Sequence, residues 1–142
     1  MAGGRGNDRA LRLFVADASG DNWNELTSGA TAAVRLTAPD LQQARRARGR
    51  ITDDVAVILD IVVAVGADFR SARNAMPDID DTTTLHYAGT IDGLAGLVAD
   101  IFMADVADGV TFIPSSPEQD MRQLAGAALD RIAQRLPLAG AA

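Results

Sequence analysis

Cysteine is absent from the 142-residue chain, which excludes disulfides, thiolate nucleophiles and thiolate metal sites. Histidine occurs once, as His86, so no metal centre can be assembled from several imidazoles of one chain. Lysine is missing too. All 13 basic residues are arginine, a pattern we read as compositional bias rather than as a site. The formal net charge of −6 argues against nucleic acid or an anionic membrane as partner, because phosphate binding leans on surplus cations. No apolar run approaches the roughly 20 residues that a membrane helix needs. Residues 1–8 are Gly-rich and polar, without the apolar core of a signal peptide, so a cytoplasmic location is expected.

What is present is an ordinary globular mixture, 48% hydrophobic and 23% charged, at a length that suits one domain. We expect a flexible segment at 1–10, a folded unit at 11–138 and a short tail at 139–142. Residues 11–16 (LRLFVA) read as a strand that ends in the turn formers Asp17-Ala18-Ser19-Gly20-Asp21. Residues 22–28 read as a helix carrying Trp23 and Leu26 on one face, with Gly29 to end it. Residues 32–36 are a second short strand. Another helix follows, opened at Thr37-Ala38-Pro39-Asp40 with Thr37 as candidate cap; Leu41, Ala44 and Ala47 point inward, while Gln42, Arg45, Arg46 and Arg48 point outward.

Residues 55–65 (VAVILDIVVAV) form the strongest element. Their β-branched, continuous hydrophobicity marks a strand covered on both faces, interrupted by Asp60 alone. A short helix at 68–76 and an acidic loop at 77–81 come next, then a threonine-rich, strand-like stretch at 82–88. Residues 91–104 show helical spacing of Leu94, Leu97, Val98 and Ile101, residues 109–114 form a strand, and Ser116-Pro117 open a final helix. The alternation predicts an α/β fold of βα units around a mostly parallel sheet. An open doubly wound sheet and part of a (β/α)8 barrel both fit this order.

The stretch 86–138 resembles the C-terminal end of the bacterial luciferase-like flavin monooxygenases. The residues that carry the likeness are Gly89-Thr90, the helix that follows, Asp108-Gly109-Val110-Thr111-Phe112, Ile113-Pro114, and the last helix from Pro117. Upstream, Asp53-Asp54-Val55 through Gly66 is similar to the family's penultimate long strand. Residues 11–20 are similar to its strand and serine/glycine turn at the flavin phosphate. The resemblance implies half of a TIM-type (β/α)8 barrel, with 82–88 as a connecting loop. It also implies an FMN or F420 cofactor and oxidation of a small organic substrate. A complete barrel takes about 250 residues, so a second copy or a partner chain is expected to complete this half.

Candidate site residues follow from these positions. On the resemblance, Ser19 and Gly20 would cradle the flavin phosphate; without it, they cap a helix start, and Asp17 and Asp21 would repel a phosphate. Thr37 and Ser115 lie at strand ends, on the rim where barrel sites form, and read equally as helix caps. His86, beside Tyr87, is a general acid or base by type and a packed residue by default, for no carboxylate partner stands near it in sequence. Asp60 demands a partner, and an ion pair with an arginine outranks catalysis. The arginines Arg45, Arg46, Arg48 and Arg50 form a solvated helix face or an anion site. Trp23 is a core or interface anchor before it is a flavin-stacking residue. No metal is expected. The functional expectation is a flavin- or F420-dependent oxidoreductase domain, and the alternative is a half-barrel remnant or interaction module without cofactor. An open nucleotide-binding sheet is a weaker third, because no Gly-rich fingerprint follows the first strand.

Overall fold

The computed structural model describes residues 10–29, 31–51, 54–66, 84–115 and 120–138. The elements run β1 (Arg12–Val15), β2 (Asn24–Glu25), β3 (Ala33–Leu36), α1 (Leu41–Arg48), β4 (Ala56–Val65), β5 (Leu85–Gly89), α2 (Ile91–Met103), β6 (Gly109–Pro114) and α3 (Met121–Ala133). They build a curled, mostly parallel, mixed α/β sheet. The expected helix at 68–76, the loop at 77–81, the Ser116-Pro117 cap and the tail at 139–142 lie outside the described residues.

β4 is the axis. One of its edges pairs with β6, and the other is shared end to end, by β3 along Ala56–Leu59 and by β5 along Ile61–Val65. All of these ladders are parallel, as expected for a strand that reads as unbroken Val and Ile. β1 lies beside β6, giving the order β2-β1-β6-β4-β3. In a (β/α)8 barrel, strands consecutive in sequence are neighbours. Here β1 takes the far side of β6 instead of the side of β3. Residues 85–89, expected on the resemblance as connecting loop, are a paired strand, because their backbone groups complete the free half of β4's edge.

Alternation along the strands sorts the two faces. Leu13, Val57, Leu59, Ile61, Val63, Val110 and Phe112 join Ala44 of α1, Leu94, Val98 and Ile101 of α2, and Ala125, Ala128 and Ile132 of α3 in the main core. The described helices therefore pack on one face. The opposite face carries Phe14, Ala56 and Ile58, with Trp23 and Ala33 against them.

Three local expectations are corrected. Residues 22–28 are not helical: Asn24–Glu25 pair antiparallel with β1, and the polar side chains bond locally, Thr27 to the Glu25 carboxylate and Asn24 to the Asn22 carbonyl. Asn and Thr lose to such local bonds in helices. Asp40, not Thr37, caps α1, its carboxylate accepting from the Gln43 N–H at 2.8 Å. Arg48 does not point outward. It is buried and donates to Asp108 at 2.8 Å, while the other Asp108 oxygen accepts from the Val57 N–H at 2.9 Å.

That last contact fixes the lower end of the sheet, tying α1 to the first residues of β4 and β6. The tight approach there also explains Gly109, since any Cβ would collide with the Arg12 carbonyl on the neighbouring strand. Asp108→Ala leaves a buried guanidinium without this carboxylate and is expected to lower stability by about 3–5 kcal/mol, read from urea unfolding followed by circular dichroism.

Candidate functional site

The face without helices carries the polar groups. Across it, in register, lie Asp60 of β4, Thr111 of β6 and Phe14 of β1, because Asp60 pairs with Thr111 and Thr111 with Phe14; Arg35 of β3 pairs with Ile58, two residues before Asp60. Asp60 is buried and receives two hydrogen bonds from Arg35, at 3.2 Å from Nε and 3.0 Å from Nη2. Thr37 adds a longer contact of 3.4 Å from its hydroxyl. The remaining guanidinium nitrogen of Arg35 donates to the Gly20 carbonyl at 2.9 Å. Asp60 is thus paired, and Arg35 is the arginine that pairs it.

Trp23 fills the centre. Its ring stacks on Phe14 with centroids 4.3 Å apart, its Nε1–H donates to the Thr111 hydroxyl at 2.8 Å, and the Arg35 guanidinium stands 5.4 Å from its centroid. The segment that delivers Trp23 is held below by Arg12, which grips Glu25 through Nε at 2.9 Å and Nη2 at 2.8 Å and donates to the Thr31 carbonyl at 2.6 Å. Burial works to raise the Glu25 pKa, but hydrogen bonds from Arg12, Thr27 and the Gly29 N–H outweigh it, and the carboxyl titrates below the usual glutamate range. Gly29, expected to end a helix, instead lies against the Arg12 guanidinium with no room for a Cβ.

The turn at Ser19 and Gly20 has a different chemistry from a phosphate cradle. No helix follows it, so there is no helix N-terminus to aim at an anion. Its donors are already engaged. The Asp17 carboxylate accepts from the Ser19 and Asp21 N–H groups, each at 3.0 Å, and from the Ser19 hydroxyl and the Asn22 amide. The Gly20 N–H goes to the Asp17 carbonyl at 2.8 Å, with Gly20 in the left-handed region at φ 85°. Hydrogen bonds, that of the Ser19 hydroxyl foremost, hold the Asp17 carboxyl below the ordinary aspartate range. The Asp17 carboxylate thus takes the donors that the resemblance would assign to the phosphate of FMN or F420, and the residues of this turn do not fit that group.

The other candidates are spread out. His86 lies on β5 opposite Val62, with Nδ1 2.8 Å from the Thr84 carbonyl; its Nε2 is buried without a hydrogen-bond partner, and no described carboxylate bonds to it. Tyr87 faces the helices and donates to the Thr90 carbonyl at 2.8 Å; burial raises its pKa. The Ser115 N–H donates to the Val63 carbonyl at 2.9 Å. With Arg48 buried, the arginine set on α1 is not one surface; Arg45, Arg46 and Arg50 are exposed. Among the described residues no group of three His, Asp or Glu side chains could hold a metal ion, and no described helix is long and apolar enough to cross a membrane. A groove of about 330 Å³ opens at the carboxyl end of β4, lined by Val65, Ile91, Asp120, Gln123, Leu124 and Ala127.

Gly20 and Thr37 are therefore brought together, through Arg35 and Asp60, whereas Ser19 turns to Asp17. Arg35 and Thr111 are the members that reading the sequence missed. The alternation Ala33, Arg35, Thr37 on one short strand was the available signal. No protein-family model matches the chain, and no curated protein matches it.

The Arg12–Glu25 contact has a definite pH dependence. A carboxylate whose folded pKa is depressed contributes its stabilisation above the unfolded value and loses it as pH falls through the folded one. The stability difference between the native chain and Glu25→Gln, measured by urea unfolding, is expected to be largest near pH 7 and to shrink as the pH is taken to about 3.

Proposed function

We propose that this chain is a non-catalytic half-barrel module, similar to the luciferase-like flavin enzymes in the order of its elements but holding no flavin of its own, and that it works as an interaction module. The single observation that carries this reading is the Asp17 carboxylate, which takes the N–H donors and the Ser19 hydroxyl of the turn that a flavin phosphate would need. The neighbouring polar groups are likewise bonded to one another: Arg35 to Asp60, Trp23 to Thr111, Arg12 to Glu25. A polar face whose groups are mutually satisfied offers structure before chemistry.

The interaction side of the proposal rests on the sheet edges. The outer edge of β1 is covered by β2 and, at its start, by Leu138. No described strand pairs with the outer edges of β3 and β5. Unpaired strand edges recruit further strands, and a second copy or a partner chain adding to the β3 and β5 edge is the mode we propose. The purified chain is then expected to scatter light as a dimer or larger species, and a clean monomer at all concentrations would remove this part of the proposal.

A second reading, a flavin- or F420-dependent oxidoreductase acting on a small organic substrate, has one observation in its favour. Asp60, Arg35 and Thr37 cluster on the face turned away from the helices, with Arg35 and Thr37 at the carboxyl end of β3, the end at which α/β and barrel enzymes place their sites. Fluorescence titration separates the two. We expect no saturable binding of FMN or F420 up to about 0.1 mM (a binding free energy weaker than about −5.5 kcal/mol); micromolar binding of either, abolished by Thr37→Val but not by Ser115→Ala, would establish the second reading instead.

A further inference from the structure

The concave face holds an aromatic ring that belongs to a peripheral segment rather than to a strand of the sheet. Trp23 lies between the end of β1 and β2, on a stretch tied down by Gly20 to Arg35, by Glu25 to Arg12 and by the pairing of Asn24 and Glu25 with Val15 and Phe14 of β1. Among the described residues, the sheet supplies a stacking partner, a cation and a hydrogen-bond acceptor to its ring. Phe14 gives a parallel aromatic floor at 4.3 Å, inclined by 11°. Arg35 gives a cation over the ring, fixed in place by Asp60. Thr111, fully buried, turns its hydroxyl into the slot as acceptor for the ring N–H.

These three contacts recognise features of the indole that any flat heteroaromatic with a ring N–H shares: a π face to stack, a π face for a cation, and one donor at the edge. None of them depends on Trp23 being part of the chain. We infer that the concave face is a preformed slot for a neutral planar heteroaromatic ligand bearing a ring N–H, and that the strap carrying Trp23 is an intramolecular plug in it. The slot is open to an outside ligand when the strap is lifted. The ties that must break are the Gly20–Arg35 hydrogen bond, the Arg12–Glu25 pair and the short β1–β2 ladder that follows Trp23, while the walls, set by the pairing of β1 with β6 and of β4 with β3 and β6, remain. The observations behind it are separate from those at the turn, since it concerns the ring that Phe14 and Thr111 hold, a bicycle of indole size, and not the turn at Ser19.

The plug is testable because the chain has a single tryptophan. Removing its side chain leaves a space of matching shape between Phe14, Arg35 and Thr111. Trp23→Gly is expected to bind indole saturably by calorimetry, at least about tenfold more tightly than the native chain does, and adding Thr111→Val is expected to weaken that binding by up to about tenfold, the worth of one hydrogen bond. A folded Trp23→Gly chain that binds indole no better than the native chain would overturn the inference, as would binding indifferent to Thr111→Val. Glu25→Gln provides a second route that keeps Trp23. Its single indole N–H resonance is expected to move to a solvent-exposed position on titration with benzimidazole, and an unmoved resonance at saturating benzimidazole counts against the plug.

Discussion

The hydrogen-bond ladders along β4 are the constraint from which the rest of the molecule follows. A strand of ten residues, AVILDIVVAV, is long enough to serve β6 on one edge and two shorter strands, end to end, on the other. Its odd-numbered side chains enter the helix-covered core, and its even-numbered ones face the concavity. That division places Asp60 on the concave face by register alone. A buried carboxylate there requires a cation, and β3 supplies Arg35, which pairs with Ile58 and reaches forward along the strand to Asp60. The polar cluster is in this sense a consequence of where one aspartate falls in a ladder.

The same logic shows what was legible in the sequence. β4, α2, β6 and α3 are periodic and apolar, so their patterns announced both type and place. The pairing of Asp60 with an arginine was readable from energetics without knowing which arginine. Residues 22–28 misled because Trp23 and Leu26 carry helical spacing, while the intervening Asn24, Glu25 and Thr27 satisfy one another and β1 instead. Arg48 misled for a related reason. On a helix rich in arginine it continues an outward face, and only the distant Asp108 turns it inward. The partner that decides each case lies far along the chain, beyond any local window. The place of β1 beside β6 was illegible for the same reason: alternation gives the elements in order but not their neighbours.

Three guanidinium–carboxylate pairs divide the labour of holding the sheet. Arg48 with Asp108 fixes the lower end, Arg12 with Glu25 fixes the strap, and Arg35 with Asp60 fixes the concave wall. Two of them use the planar fork of arginine: Arg12 and Arg35 reach both carboxylate oxygens, a geometry that the point charge of lysine does not reproduce. A chain with arginine as its sole basic residue is suited to this mode of construction. At the turn, by contrast, the anion is built in, and Asp17 gathers the donors that would otherwise be offered to a ligand.

Leu11 and Leu138 form a parallel bridge, with the Leu11 N–H bonded to the Pro137 carbonyl at 2.9 Å. The first and last of the described segments are therefore neighbours on the same rim of the sheet. A unit whose entry and exit points coincide can be spliced into a surface loop of another protein without stretching its host, or have those points joined and be reopened elsewhere. The architecture thus has the geometry of an insert as well as that of a free-standing piece.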